Sequence, residues 1–463
     1  MQSSRFTDQP TRELARFTSG CKAADLDATQ RSQALDHIID TVVACRAGAD
    51  QVFVEAAAQV LKGFGRLEVA AGVPVIGRSW KCDPMDAAYL MAVAAHALEM
   101  DDGNREGSIH PGAVVVPAAL SMAHFVGASA DELIAACVAG YEVTVSIAER
   151  LHPHASRRGF QTTPVAGVIG AAAAAARLLK LDADTTEMAF GIAASSSAGI
   201  FAYLNGGGNI KKIHPGHAAR EGLLAALYAR DGLITGPKAV IETGSGVLQA
   251  FGGLAQGSAS STGVVREELA IVRSYLKPYP CCRHIHPAVD ALLDMRRETG
   301  FEPAQIKRMD IGTYNAAMPH ADLPWDTLNI AQLSFPYVMA VAALDGSVDL
   351  TSFSDAARVR PEIEGMARKV HVRNDAECDR LYPARGPARV QVEMEDGRKI
   401  SRGVDDPLGA PEQPIPQAQL QQKFLSVLTP SLGEKASRDW LSALRDGNNP
   451  RVSDWMAPLS NLR

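Results

Sequence analysis

A mostly helical fold, a large all-α domain followed by a smaller α+β lid domain, is predicted by three features of the chain. Apolar residues recur at three- and four-residue steps through successive segments between residues 30 and 231. A polar stretch at 256–262 (QGSASST) then interrupts that pattern as a linker would. Beyond it, short alternating segments are interspersed with further helical ones, the mark of an α+β domain.

The helical segments run over 30–63, 84–100, 113–126, 130–151, 163–180, 184–200 and 216–231, set apart by Gly, Pro or Asp. They are rich in Ala and Gly, with Ala171–Ala176 the extreme case, so their backbones are expected to approach closely. Acidic residues open two of them: Asp131 with Glu132, and Asp182 with Asp184, suit the positive end of a helix dipole. In the second region strands are predicted at 271–276, 306–314, 369–372 and 388–393. The last turns through Glu395-Asp396-Gly397 into 398–402 as a hairpin. Helices are predicted at 286–297, 330–344 and 354–366. A Pro-rich segment from Pro407 to Pro416 leads to two final helices, 417–428 and 434–444. The expected division is 1–262 helical, 263–405 α+β, and 406–463 C-terminal helices.

Composition removes several function classes. The 463 residues carry 46 Lys+Arg against 52 Asp+Glu, a net charge of −6, with no basic block, which argues against a nucleic-acid partner. No run of about 18 uncharged apolar residues suggests a membrane span. The N-terminus is polar and lacks the apolar stretch of a signal peptide, so a cytoplasmic location is expected. Seven scattered cysteines form no disulfide framework. Nucleotide, Walker, hydrolase-elbow and zincin motifs are absent, and Gly206–Gly208 before Lys211 has the wrong spacing for a phosphate loop.

Four patches carry chemistry-bearing groups. The first, His96 to Gly112, places Glu99, Asp101, Asp102, Arg105, Glu106 and His110 between two apolar helices. Buried charges there need partners or a use, and an exposed loop capped by Asp101 and Asp102 is the plainer alternative. The second, Arg157-Arg158-Gly159-Phe160-Gln161-Thr162-Thr163, offers cations near free helix N–H groups, or simply a threonine N-cap. The third, Lys211-Lys212-Ile213-His214-Pro215-Gly216-His217, fits a carboxylate-binding corner or a charged turn. The fourth, Cys281-Cys282-Arg283-His284-Ile285-His286, invites a zinc reading, but adjacent cysteines suit a tetrahedral site poorly, so no metal is expected. His286, before Pro287 at a helix start, is a candidate general acid or base facing an interdomain cleft.

In this order the four patches resemble the MmgE/PrpD family, which includes 2-methylcitrate dehydratase, cis-aconitate decarboxylase and iminodisuccinate epimerase. The phrases that carry the resemblance are HALEMDDGNREGSIHPGAVVVPAAL, RRGFQTTPVAGVIGAAAAAARLL, IKKIHPGHAAREG, LKPYPCCRHIHPAVDA and AQLSFPYVMAVAALDG. The resemblance implies a large helical domain with a smaller α+β lid, C-terminal helices returning to the helical domain, a homodimer, and no cofactor or metal. It matches His110 to the His of a His-Pro motif, Lys211 to the Lys three residues before His214, and His286 to the His four residues before Asp290. Glu99 stands where the motif has Asp, Gly103 where it has Thr, and Gln161 where it has His.

The chemistry so implied breaks a C–H or C–C bond beside a carboxylate, with fixed cations, one base and one acid. Lys211 with Arg105 or Arg158 would anchor carboxylates, His110 and His286 would form the acid/base pair, and Glu99 would orient a histidine or act as base. Gln161, Lys212, His214 and Gly103 complete the expected substrate contacts, with Tyr279, Tyr337 and Ser334 as further lining. The expected activity is a lyase on a small di- or tricarboxylic acid, dehydratase before decarboxylase. An epimerase, a non-catalytic metabolite binder and a zinc protein through Cys281, Cys282, His284 and His286 stand as alternatives.

Overall fold

The computed structural model describes residues 9–203, 208–255 and 268–460; Gly206 and the 256–262 stretch lie outside the described residues. It is 58% helical and 9% strand, a mostly-α fold. The chain divides into two compact units. One comprises the described residues up to Ala97, Asp101–Tyr275 and those from Ala418 onward; the other comprises Leu98–Met100 and Leu276–Gln417.

The first unit is built on helices Ala28–Gly48, Pro84–Ala95, Gly112–Val126, Ala130–Leu151, Thr162–Leu178 and His214–Asp231. Their Ala and Gly content has the expected effect. A Cβ on Gly170 would lie 1.7 Å from Thr144 Oγ1, and one on Gly140 would lie 3.0 Å from the Gly170 carbonyl oxygen. The helices Ala130–Leu151 and Thr162–Leu178 therefore touch backbone to backbone, and Ala171–Ala176 are fully buried beside them. Start signals are explicit: Asp27 with Gln30 and Ser129 with Glu132 form capping boxes, and Asp182 caps the Thr185 N–H. Lys423 pairs with the fully buried Asp40, and Arg445 with Asp36, both on the helix Ala28–Gly48.

Several boundaries differ from the periodicity. The 30–63 segment breaks after Gly48, where a Cβ would sit 2.0 Å from the Ala94 carbonyl oxygen, and resumes at Val52. The 84–100 segment ends at Ala95, because Glu99 adopts a left-handed conformation with φ 53°. The 184–200 segment ends at Ala194, before three serines. The strand expected at 271–276 is instead a series of turns, with Tyr275 bridging only to Gly103. Helices Pro10–Gly20 and Val452–Ser460 and the pair Val73–Pro74 with Lys81–Cys82 add to the elements expected.

The second unit centres on a four-stranded sheet in the order Val370–Asn374, Ile306–Thr313, Ala388–Met394, Lys399–Val404. The first pair is parallel, with Met309 opposite Val370; the others are antiparallel, with Met309 opposite Val392 and Val390 opposite Arg402. Strand Ala388–Met394 alternates buried and half-buried residues, and Gly397 at φ 86° makes the hairpin turn. Helices His286–Thr299 and Phe335–Asp345 contribute Val289, Leu292, Val338 and Val341 to the core that also holds Ile311 and Val390. The helix expected at 330–344 is split because Ser334 caps the Tyr337 N–H ahead of Pro336. The one expected at 354–366 is split before Pro361.

Candidate active site

In the helical unit the segment between Ala95 and Gly112 folds around two adjacent carboxylates. Asp101 and Asp102 are both fully buried, so they are not the caps of an exposed loop. Asp102 accepts hydrogen bonds from Tyr141 Oη at 2.6 Å, His37 Nδ1 at 2.7 Å and the Gly112 N–H at 2.9 Å. That last bond fixes the start of the helix Gly112–Val126. Asp101 lies 2.7 Å from His96 Nδ1 and 3.4 Å from His110 Nδ1. His110 Nδ1 also meets the Asp102 carbonyl oxygen at 2.7 Å. A carbonyl only accepts, so Nδ1 carries a proton, and the Asp101 carboxylate lies beside that N–H. The His96 and His110 rings meet edge to face at 5.1 Å.

The second and third patches join this group. His110 N–H donates to Thr163 Oγ1 at 3.2 Å, next to Pro164. His214 Nδ1 lies 2.5 Å from Gln161 Oε1, so the amide oxygen holds the proton on Nδ1 and leaves Nε2 unprotonated. Burial, reinforced by the charges of His96, His217 and Lys211, pushes the His214 pKa down to about 4. Proton chemistry that Gln161 cannot perform is thus open, as an acceptor, to the imidazole it holds. A cavity of about 300 Å³ adjoins them, lined by Pro164, Ser196, Gly199, Ile210, His214 and His217. Lys211 and Lys212 lie on the turn Ile210–Ile213 beside it, Lys211 half-buried and Lys212 buried.

The other expected contacts fall elsewhere. Arg105 is half-buried in the turn closed by the Asn104–Ile109 bridge. Arg158 is exposed and reaches the Ala250 carbonyl oxygen at 3.5 Å, a surface contact rather than a carboxylate anchor. Gly103 exchanges backbone hydrogen bonds with Tyr275, and a Cβ there would lie 2.2 Å from Tyr275 Oη. The phenol therefore fills the volume that a threonine side chain would take.

In the second unit, Glu99 is buried and pairs with buried Lys277, whose Nζ lies 3.5 Å from Oε2 and 3.1 Å from the Glu99 carbonyl oxygen. This ion pair stands on a residue with φ 53°, where the expectation is a carboxylate that orients a histidine or acts as base. His286 is fully buried, with Nε2 3.2 Å from the Cys281 carbonyl oxygen and Nδ1 3.1 Å from Arg283 Nη1. Its two ring nitrogens thus meet a guanidinium and a carbonyl oxygen within the second unit. Tyr279 bonds Asp290, Tyr337 bonds the Ser352 carbonyl, and Ser334 caps a helix, so packing and capping account for all three.

The zinc set suggested by the sequence is not assembled either, since Cys281 is buried and His286 is used as described. Cys282 and His284 instead meet His320. Burial raises the Cys282 thiol, but the neighbouring His320 outweighs it, and the net shift is downward.

Sequence reasoning missed Asp101, His96, His37, Tyr141, Tyr275 and Lys277 as site-building groups. The available signal was the His96-to-Asp101 spacing and the adjacent carboxylates within an otherwise apolar stretch. These carboxylates and imidazoles belong to a region that matches the MmgE/PrpD N-terminal domain over residues 12–258, and the MmgE/PrpD C-terminal domain matches 279–446. The chain belongs to the MmgE/PrpD family. Cis-aconitate decarboxylase of Aspergillus terreus is 27% identical over 447 residues, covering 90% of this chain and 89% of the relative. A cis-aconitate decarboxylase-like protein, oryM, of Aspergillus oryzae is 25% identical and covers 97% of each chain. Cis-aconitate decarboxylase of Mus musculus is 26% identical over 379 residues, 74% of this chain and 72% of the relative. These relatives are named as decarboxylases or decarboxylase-like, which supports an enzymatic role for the chain. No helix among the described residues is long and apolar enough to cross a membrane.

Proposed function

We propose that this MmgE/PrpD protein is a carboxy-lyase that removes CO₂ from a small tri- or dicarboxylic acid, with His110 as the proton donor. The observation that carries the reading is His110 held by Asp101 and the Asp102 carbonyl, its backbone N–H bonded to Thr163 beside Pro164, which lines the cavity that His214 borders. Sequence reasoning put dehydration first. Dehydration needs a base for the C–H and an acid for the departing hydroxide. His214, its pKa pushed down to about 4 by burial, is a weak base at neutral pH. Decarboxylation asks only for the proton donor.

In this scheme Lys211 holds a retained carboxylate, and the C–COO⁻ bond breaks toward a carbanion delocalised into the neighbouring unsaturation. The His110 imidazolium gives its proton to carbon, CO₂ leaves, and water reprotonates the ring. The similarity to cis-aconitate decarboxylases supports the same reading, and makes cis-aconitate the first substrate to try.

Proton NMR in D₂O with cis-aconitate, citrate-like, malate-like and amino-dicarboxylic acids tests it. Loss of CO₂ with one deuteron entering the product, abolished in His110→Ala, is the expected result. Loss of water with a new alkene would replace the proposal by a hydro-lyase. Deuterium uptake without mass loss would replace it by an epimerase, and line broadening alone by a metabolite-binding protein. A homodimer in the cytoplasm is proposed with it; sedimentation and fractionation check those two points.

A further inference from the structure

We propose that Cys282, His284 and His320, all in the second unit, form a binding site for a borderline-soft divalent metal ion of the zinc class. The inference is independent of the carboxy-lyase reading. Cys282 and His284 flank the start of the turn Arg283–Ile285, and His320 ends the turn Asn315–His320. One potential ligand atom from each residue lies within 4.8 Å of the other two. Cys282 Sγ is 3.7 Å from His320 Nε2. Zinc bonds to sulfur at about 2.3 Å and to imidazole nitrogen at about 2.0–2.1 Å, so at a tetrahedral angle the two donors stand about 3.5–3.6 Å apart. The observed separation needs almost no adjustment to take the ion.

The surroundings are those of ligands held in place. His284 Nδ1 meets Tyr314 Oη at 2.7 Å, a contact that fixes the ring. Tyr314 is itself stacked on Tyr382 at 4.1 Å and 10°. The His284 and His320 rings lie nearly parallel at 5.6 Å and 29°. The Cys282 N–H is tied to the Gln332 carbonyl oxygen at 2.8 Å. A simple thiol–imidazole contact would require only Cys282 and His320; the second imidazole, with its own orienting phenol, is what a metal needs. One thiolate and two imidazoles select zinc, cobalt or copper over magnesium or calcium. Three protein ligands leave a fourth tetrahedral position for water or a substrate oxygen.

The test uses the full chain, stripped of metal by chelation and titrated with zinc chloride alone by calorimetry and with cobalt(II) by absorption spectroscopy. The expected result is one ion per chain and a thiolate-to-cobalt charge-transfer band in the near ultraviolet. The near-isosteric Cys282→Ser removes that band in a protein whose circular dichroism is unchanged. His320→Ala weakens zinc binding by more than Tyr314→Phe, for which about a ten- to a hundredfold loss is expected. His110→Ala, in the other cluster of possible ligands, leaves the band intact. Absence of the band in the parent chain, or zinc uptake by Cys282→Ser equal to that of the parent, overturns the proposal. So does rapid alkylation of Cys282 that zinc does not slow, which would mark a reactive thiol–imidazole pair instead.

Discussion

In the helical unit, His96 and His110 share the Asp101 carboxylate, and His214 leans on the Gln161 amide oxygen. In the second unit, His286 is clamped between a carbonyl and a guanidinium, and His284 rests on a phenol. The neighbours decide what each imidazole can do. A carboxylate at hydrogen-bond range stabilises the charged form of the ring beside it. A carbonyl and a guanidinium hold both nitrogens of His286, and a phenol steers one nitrogen of His284.

That contrast can be broken most sharply by replacing one histidine of each kind. His110→Ala should lower kcat by about 10²–10⁴-fold, the usual worth of a positioned proton donor, with little loss of stability. His286→Ala should do the reverse: the folded protein should keep turnover within about threefold while stability falls by about 1–3 kcal/mol, because Arg283 loses a buried partner. Steady-state kinetics beside urea unfolding separates the two, and equal loss of turnover in both would end the distinction. Asp102→Ala removes the acceptor for Tyr141, His37 and the Gly112 N–H at once, and should cost about 3–5 kcal/mol in the same unfolding assay. Gly103→Ala should cost about 1–3 kcal/mol by collision with Tyr275, and Tyr275→Ala should restore part of it in the double variant.

A subtler difference concerns acid. Because the His214 pKa falls to about 4 in the fold, the unfolded chain binds its proton first as pH drops below the ordinary value of 6.5. His214 therefore subtracts stability progressively between about pH 6.5 and pH 4, and the loss levels off below that. His214→Gln should show a shallower decline across that window in thermal melts at a series of pH values. An identical slope would mean that the imidazole is not held neutral. The smallest effect is expected for Arg158→Ala: within about 0.5 kcal/mol in stability and no change in KM, since its guanidinium lies at the surface.

How far the sequence reached follows from the range of the forces involved. Periodicity and capping act over a few residues, so the helices from Gly112 to Leu178, the strand Ile306–Thr313 and the hairpin at Gly397 could be read directly. The breaks after Gly48 and Ala95 could not, since Gly48 packs against the Ala94 carbonyl, a contact 46 residues away in the chain. The site shows the same division. His110, His214, Gln161 and Lys211 stand out by residue type and neighbours. His37 and Tyr141 emerge only when distant helices bring them to Asp102, which is fully buried yet looks in one dimension like a loop residue. His320 lies 38 residues from Cys282, beyond any local ligand spacing.

The phenol that occupies the space over Gly103 has an evolutionary consequence. Positions 103 and 275 share one pocket of fixed volume, so neither can change size alone without a clash or a void. They should be inherited as a pair, with family members that carry a larger residue at the first position carrying a smaller one at the second. Lineages that crossed from one arrangement to the other must have passed through a destabilised intermediate, and this barrier would keep the two arrangements on separate branches of the family.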